Sequence, residues 1–200
     1  MVIPIRVTPS LHTEKVNRMS KSEPNVTLAP LTPEDREAFI LENQAAFLYG
    51  ATQEFGLRDA HFEEPGEIIS RKTIEDAIDG EHAVAYRILL DGEKVGGAVL
   101  TMEGDHGDLG LFFISPNVHS KGVGYAAWRK IERYHPEVRV WETGTPYFET
   151  RNIHFYVNKC GFHIVEFFNS HHPDPYDPDT PPEKECGMAD GFFRFEKRKH

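Results

Sequence analysis

The sequence predicts an α/β fold in which helices flank a sheet whose middle strand is buried on both sides. Three observations predict it. Residues 109–114 are apolar on both pleat faces, with Leu109, Leu111 and Phe113 on one and Phe112 and Ile114 on the other, the pattern of a strand near the centre of a sheet. Residues 83–102 alternate on either side of Asp91 and Gly92, a tight-turn pair, and read as an antiparallel hairpin. After the central strand, Ala127, Ile131 and Tyr134 recur at helical spacing, so a helix returns over the sheet.

The elements follow in order. Residues 1–24 lack periodicity and hold a second start-like residue, Met19, so they read as a flexible leader ahead of one domain over 25–200. Residues 26–28 are a short strand. Thr32 is placed to cap a helix with Pro33 at its first position and Glu34 and Asp35 in an acidic first turn. That helix should run to Tyr49 with Phe39, Ile40, Ala46 and Phe47 inward, and Gly50 should stop it. Residues 53–66 are a loop rich in acids (Glu54, Asp59, Glu63 and Glu64, with His61), and residues 68–78 a second helix ended by Asp79 and Gly80.

The hairpin comes next, and then a polar turn at 103–108. Its acids and His106 match no metal-ligand spacing, so it reads as a solvated tip. The central strand stops at Pro116 and Asn117. Gly122 and Gly124 open the following helix, and His135 before Pro136 closes it. A strand at 137–142 and a loop at 144–148 lead to Thr150, a cap for a helix over 151–159, with Gly161 in the position of a C-terminal glycine. Residues 162–168 and 192–196 are two closing strands. The segment between them has five prolines in the sixteen residues 171–186, so a long surface loop occupies 169–186. His171, His172, Asp174, Asp177 and Asp179 within it read as solvated side chains rather than metal ligands.

Composition narrows the function. Two hundred residues at 39% hydrophobic content suit one globular domain. No apolar run approaches the roughly 20 residues that span a bilayer, and the start of the chain is too short in apolar residues for a secretory signal. Two cysteines, Cys160 and Cys186, form neither a disulfide framework nor a zinc pattern. A cytoplasmic location is the default. A net charge of −10 argues against nucleic acid or an anionic membrane as partner and is compatible with a cationic one.

A buried strand, a glycine-containing loop and a helix in succession leave unpaired N–H groups at a helix N-terminus, where glycine lets a ligand approach the main chain. Such a place attracts phosphate, and Lys121 adds a mobile cation there. A diphosphate site follows. Gly122, Gly124 and Ala127 satisfy a dinucleotide fingerprint, with Glu142 lying 18 residues past Gly124. That fingerprint places its first glycine in the turn directly after the strand. Here the seven residues 115–121 intervene, and the upstream pattern is a hairpin. A dinucleotide-binding oxidoreductase is the lesser alternative.

The stretch His119, Ser120, Lys121, Gly122, Val123, Gly124 resembles the Q/R-x-x-G-x-G/A acetyl-coenzyme A motif of the GNAT N-acetyltransferases. Ile114, Ser115 and Pro116 are similar to that family's V-x-P at the end of its fourth strand. Residues 152–162, with Asn152, Phe155, Tyr156, Gly161 and Phe162, resemble its second signature. The resemblance covers residues 25–197.

It implies a mixed, mostly antiparallel central sheet flanked by helices and split between its fourth and fifth strands, with acetyl-CoA wedged into the split. The pantetheine arm would pair with main-chain groups of Phe112, Phe113 and Ile114, and the diphosphate would rest on amides of His119, Ser120, Lys121, Gly122, Val123 and Gly124. Asn152 would help hold the coenzyme. The implied reaction moves an acetyl group to a primary amine, small molecule or peptide, with no metal. A lysine-like amine has a pKa near 10.4, so exposing its lone pair at pH 7 costs about 4–5 kcal/mol. A base should therefore stand at the acceptor mouth. Glu142 is the first choice, with Asp108 and Glu103 next, and the acids of 53–66 are candidates for holding a cation.

In this family a tyrosine of the last helix commonly returns a proton to the thiolate, and Tyr156 is the candidate. It stands five residues before Gly161 where the family's tyrosine stands four, a rotation of ~100° on an ideal helix. His119 stands where Gln or Arg is usual. A non-catalytic acetyl-CoA-binding module is the alternative if Tyr156 points away from the thiol. The resemblance leaves room for a homodimer.

Overall fold

The protein is described here from a computed structural model covering residues 23–54, 65–119, 121–175 and 191–199. The sequence expectations for residues 1–22, for Asp59, His61, Glu63, Glu64, Asp177 and Asp179, and for the Glu54 side chain fall outside that description, as does Ser120.

Strands β1 (Val26–Pro30), β2 (Ala83–Leu90), β3 (Glu93–Glu103), β4 (His106–Ile114), β5 (Val140–Pro146), β6 (His163–Phe168) and β7 (Phe192–Arg198) form one sheet. Their spatial order is β1-β2-β3-β4-β5-β7-β6. Every neighbouring pair is antiparallel except β4 with β5. The β2–β3 hairpin turns on Asp91 and Gly92 with φ of 52° and 89°, the left-handed pair that matches strand twist in a two-residue turn. The second turn is tighter than expected. Glu103 already faces His106 across it, so β4 begins three residues before the predicted strand.

β4 decides the architecture. Its register against β3 slips between Val99 and Leu100, so that Val99 faces Leu111 and Leu100 faces Leu109. Gly110 is thus an extra residue, a β-bulge. The expected alternation had set Leu109 beside Leu111 and Phe113. The bulge instead sends Leu109 into the core that contains Trp128 and Trp141, and Leu111 and Phe113 into the core that contains Phe39 and Ile74. One inserted residue reverses the facing of all that precede it.

Two helices cover the second of these cores. A 3-10 turn (Pro33–Asp35) leads into α1 (Arg36–Tyr49), and α2 spans Arg71–Asp79. Thr32 makes no side-chain cap bond, and α1 continues past Gly50 as a π turn, Gly50–Glu54, rather than stopping there. α2 starts later than predicted, because Ser70 is its cap: the Ser70 Oγ accepts from the Thr73 N–H at 3.1 Å. α1 lies close on the sheet at Gly97, where a Cβ would stand 2.2 Å from the Phe39 ring. Arg87, 2% exposed, pins the helix from β2 by donating to Asp35 at 2.5 Å and to both Glu42 oxygens at 2.9 and 3.1 Å.

The opposite face carries α3 (Val123–Tyr134) and α4 (Thr150–His154), the latter prolonged by a π-helix, Phe155–Cys160. Ala127 and Ile131 are buried as expected, with Val123, Ala126 and Trp128, whereas Tyr134 is 50% exposed. Trp128 meets Trp141 edge-on at 5.2 Å between ring centroids. The last helix is capped at Glu149 rather than Thr150, and Gly161 ends it in the left-handed region at φ +80°. β5 begins at Val140 and runs through Gly144 to Pro146, which the sequence reads as loop, because β7 pairs with it along that whole length.

Candidate active site

β4 and β5 pair only over His106–Asp108 and Val140–Glu142. Directly past Asp108 comes the bulge at Gly110, and a bulge bends and twists the strand that carries it. From there β4 continues beside β3, and β5 beside β7. The sheet is therefore parted between its fourth and fifth strands. The free edge of β4 needs other partners for its backbone groups. The Leu109 carbonyl accepts from the buried Thr143 Oγ1 at 3.0 Å. The Ile114 carbonyl accepts from His119 Nε2 at 2.8 Å. Phe112, two residues before Ile114, presents its N–H and C=O to the same side.

A cavity of about 580 Å³ opens along this edge. It reaches through the parting, since Phe47 and Gly50 line it beside Phe113 on the α1 side, and Gly124 and Tyr156 line it on the other. Of the residues expected to hold the coenzyme, Phe112, Phe113, Ile114, His119, Gly122, Val123, Gly124 and Asn152 all line it. Lys121 is exposed in the same turn but does not line the cavity. Gly122 has φ +79°, a left-handed conformation at the start of α3, whose first N–H groups have no partner within the helix. At Gly124 a Cβ would touch the Phe155 ring at 3.5 Å and the Ile114 side chain at 3.7 Å. The ring of Phe155 stacks on Phe112 at 5.8 Å, giving the cavity an apolar floor.

Several side chains that sequence reasoning did not single out complete the wall: Glu149, Arg151, His154 and Lys159. Arg151 Nη1 approaches His119 Nδ1 at 3.2 Å. A guanidinium can only donate, so Nδ1 accepts and Nε2 carries the proton given to Ile114. Asn152 Nδ2 donates to Glu149, whose Oε2 also accepts from Thr145 Oγ1 at 2.6 Å. No periodicity or motif marks these four residues.

Tyr156 lines the cavity with its ring packed on Phe155, Phe162 and Phe195. Its hydroxyl lies within reach of the Thr143 hydroxyl. Burial holds the phenol well above its ordinary pKa, and Glu149, Cys160 and Asp108 add to the shift, so it stays protonated at neutral pH. Glu142 does not line the cavity. It accepts from Arg194 at 2.8 Å, and the same Arg194 reaches Glu166 at 3.1 Å. Asp108 faces Glu142 directly across the last paired register. Glu103 is exposed at the hairpin tip. Among the described residues no group of three His, Cys, Asp or Glu stands together to hold a metal, and no helix is long and apolar enough to cross a membrane.

Comparisons with known proteins bear on this geometry. Residues 49–162 match the model of the acetyltransferase (GNAT) family. The chain is 43% identical over 182 residues to the uncharacterized protein YrkN of Bacillus subtilis strain 168, covering 89% of this chain and 96% of that protein. Similar solved structures include spermidine N-acetyltransferase of Vibrio cholerae in complex with CoA and spermine, with a TM-score of 0.59 at 14% identity, covering 86% of this chain and 95% of that one. A GNAT family acetyltransferase of Elizabethkingia anophelis with acetyl-CoA bound has a TM-score of 0.55 at 17% identity, covering 88% and 99%. The ribosomal-protein-S18-alanine N-acetyltransferase of Escherichia coli has 0.55 at 16%, covering 86% and 93%. These three share its fold. On the match over residues 49–162, the chain belongs to the GNAT family of acetyltransferases.

Proposed function

We propose that this acetyltransferase moves the acetyl group of acetyl-CoA directly onto the nitrogen of a primary amine at the parting of β4 and β5. One observation carries the reading: a single cavity runs from the glycines at the start of α3, along the free edge of β4, to the Tyr156 ring. Its volume falls within the usual range for small-molecule sites. The residues present fit the coenzyme. Gly124 leaves unfilled the space a side chain would take, and the amides of Lys121, Gly122, Val123 and Gly124 offer donors to a diphosphate, whereas the His119 amide, expected to join them, is already given to the Pro116 carbonyl at 3.2 Å. Charge-assisted bonds of this kind contribute about 1.5–3 kcal/mol each. Arg151 and Lys159 add positive charge at the wall, and Asn152 lies beside them.

Acetyl-CoA supplies the activated thioester. The chain's own residues do the rest. The backbone of Phe112, Phe113 and Ile114 receives the pantetheine arm as an added strand, for which His119 must release the Ile114 carbonyl. The Tyr156 hydroxyl, kept neutral by burial, donates to the departing sulfur. A carboxyl at the apex of the parting, Glu142 or its register neighbour, receives the proton of the acceptor. The likeness to a spermidine N-acetyltransferase supports an amine acceptor.

A panel of amines assayed with acetyl-CoA by thiol release tests the reading. At least one amine should release thiol in proportion to acetylated product. Tyr156→Phe should then lower kcat by about 100-fold or more, the scale of general acid catalysis, with the dissociation constant for CoA unchanged. Coenzyme binding without thiol release on any amine would make the protein a non-catalytic acetyl-CoA-binding module instead.

A further inference from the structure

We infer that the acceptor is a primary amine on an apolar body, an alkyl or aromatic group seated against Phe47, and not a polycation. This acceptor class rests on the acetyl-transfer reading above and deepens it at the same site.

The two ends of the cavity differ in chemistry. On the α3 and α4 side His119, Arg151, His154 and Lys159 line it, with the glycines that begin α3. Cationic side chains and a helix start suit an anion. Among the described lining residues the one carboxylate is Glu149, and it stands at this end too, engaged by Asn152 and Thr145. On the α1 side the lining is Ala46, Phe47, Gly50 and Phe113. Among the described residues at this end, no side chain is charged or polar. The anionic coenzyme takes the basic end, so the acceptor meets the apolar one.

That end is a fixed wall. Phe39 meets Phe113 edge-on at 5.2 Å between ring centroids, and both are buried. Gly97 lies against the two rings, where a Cβ would stand 2.2 Å from Phe39 and 2.7 Å from Phe113. Ala46 and Phe47 follow Phe39 on α1 at the spacing of the same helix face, two turns on. Both pack against this core while keeping a side toward the cavity. At Gly50 an added Cβ would meet nothing within 4 Å, so the mouth stays open there.

Such a wall separates amines by what they carry behind the nitrogen. A second ammonium would lose water against Phe47 and Phe113 without a carboxylate from that wall to meet it, and an unpaired buried charge is strongly disfavoured. A methylene in the same place gains about fourfold in affinity. The two effects have opposite sign. The spermidine N-acetyltransferase compared above shares the fold at 14% identity, and a shared fold does not carry the acceptor with it. The reaction on an apolar amine balances. The ammonium form gives up two protons as the N–C bond forms and the C–S bond breaks. One ends on the sulfur of CoA and the other in solvent.

The test is kcat/KM at saturating acetyl-CoA for methylamine, n-propylamine, n-pentylamine, phenethylamine, putrescine and spermidine. n-Pentylamine and putrescine have equal numbers of heavy atoms and differ by a methyl group in place of an ammonium. n-Pentylamine should exceed putrescine by about 100-fold or more, and phenethylamine should exceed methylamine by at least as much. Phe47→Ala should lower the ratio of phenethylamine to methylamine by about tenfold or more, with the KM for acetyl-CoA unchanged. Calorimetry on the CoA-loaded protein gives a readout apart from turnover: n-pentylamine should bind with a negative heat-capacity change, the mark of apolar burial. Putrescine or spermidine equal to n-pentylamine or faster overturns the apolar acceptor and leaves the acetyl-transfer reading standing. An unchanged ratio in Phe47→Ala overturns the role of Phe47. Thiol release on none of the amines overturns the acceptor class and the transfer reading together. Stabilisation by CoA reports that Phe47→Ala folds, and should it not, the wild-type series decides by itself.

Discussion

Gly124 works by what it lacks. A methyl group there would meet the Phe155 ring at 3.5 Å, ordinary van der Waals contact, so the empty protein can accommodate it. Alanine is also the better helix former by about 1 kcal/mol. Gly124→Ala should therefore leave the melting temperature unchanged or higher, while the methyl occupies the approach to the first amides of α3. Titration calorimetry should find CoA affinity lower by tenfold or more. Unchanged affinity would remove the diphosphate from this helix start. Gly122 and Gly124 were legible in the sequence because a glycine pattern between a strand and a helix has one physical use. Gly110 carried a signal as well, an isolated glycine inside an apolar strand, and it marks the bulge. Thr143, Arg151 and Arg194 carried none, because polar residues on a strand or at a helix start look alike until folding gives them partners.

At the scale of the element, the last helix shows why spacing alone misleads. Tyr156 stands five residues before Gly161, one more than the family pattern. Phe155–Cys160 is a π-helix, and a π turn takes up an extra residue, so the longer spacing and the wider turn offset one another. Within that turn the Tyr156 ring packs on Phe162 and Phe195. The seating of α1 is the other case. Arg87 is buried between Asp35 and Glu42, with its guanidinium 5.5 Å above the Phe39 ring. Nothing in an alternating strand announces such a buried charge. Arg87→Met should leave the Asp35 and Glu42 carboxylates without their guanidinium, with Lys94 remaining on Asp35 alone. Glu42 is 47% exposed and Asp35 keeps Lys94, so the charges left behind are partly relieved and the cost is about 1.5–3 kcal/mol, the scale of hydrogen bonds to charged groups. Urea unfolding should show a loss of that size with an unchanged slope, and a loss below about 1 kcal/mol would mean the network does not secure the helix.

Over the whole molecule, the parting of the sheet distinguishes this cavity from a dinucleotide site. Among the described residues only one strand pair is parallel, and it holds for three residues before opening. The cavity lies along a strand edge rather than across the carboxyl ends of a parallel sheet, where dinucleotides bind. Thermal unfolding reads this directly. A ligand at 100 times its dissociation constant stabilises the native state by about 2.7 kcal/mol, so CoA at that excess should raise the midpoint by several degrees. NAD at equal concentration should leave it unmoved. The reverse result would restore the dinucleotide reading.

The sequence by itself determined that helices flank a sheet, where the central strand and its hairpin lie, and that glycine-flanked amides begin the helix after that strand. Each of these follows from local rules of periodicity, turn conformation and backbone donors. Only the tertiary structure decided at which residue the sheet opens, since the end of β4–β5 pairing at Asp108 and Glu142 is a matter of register between distant segments. It alone decided that Glu142 is held in an ion pair, because Glu142 and Asp108 are equivalent acids until β7 brings Arg194 to one of them. Long-range pairing, in which segments fifty residues apart become neighbours, supplies those facts, and no window along the chain contains them.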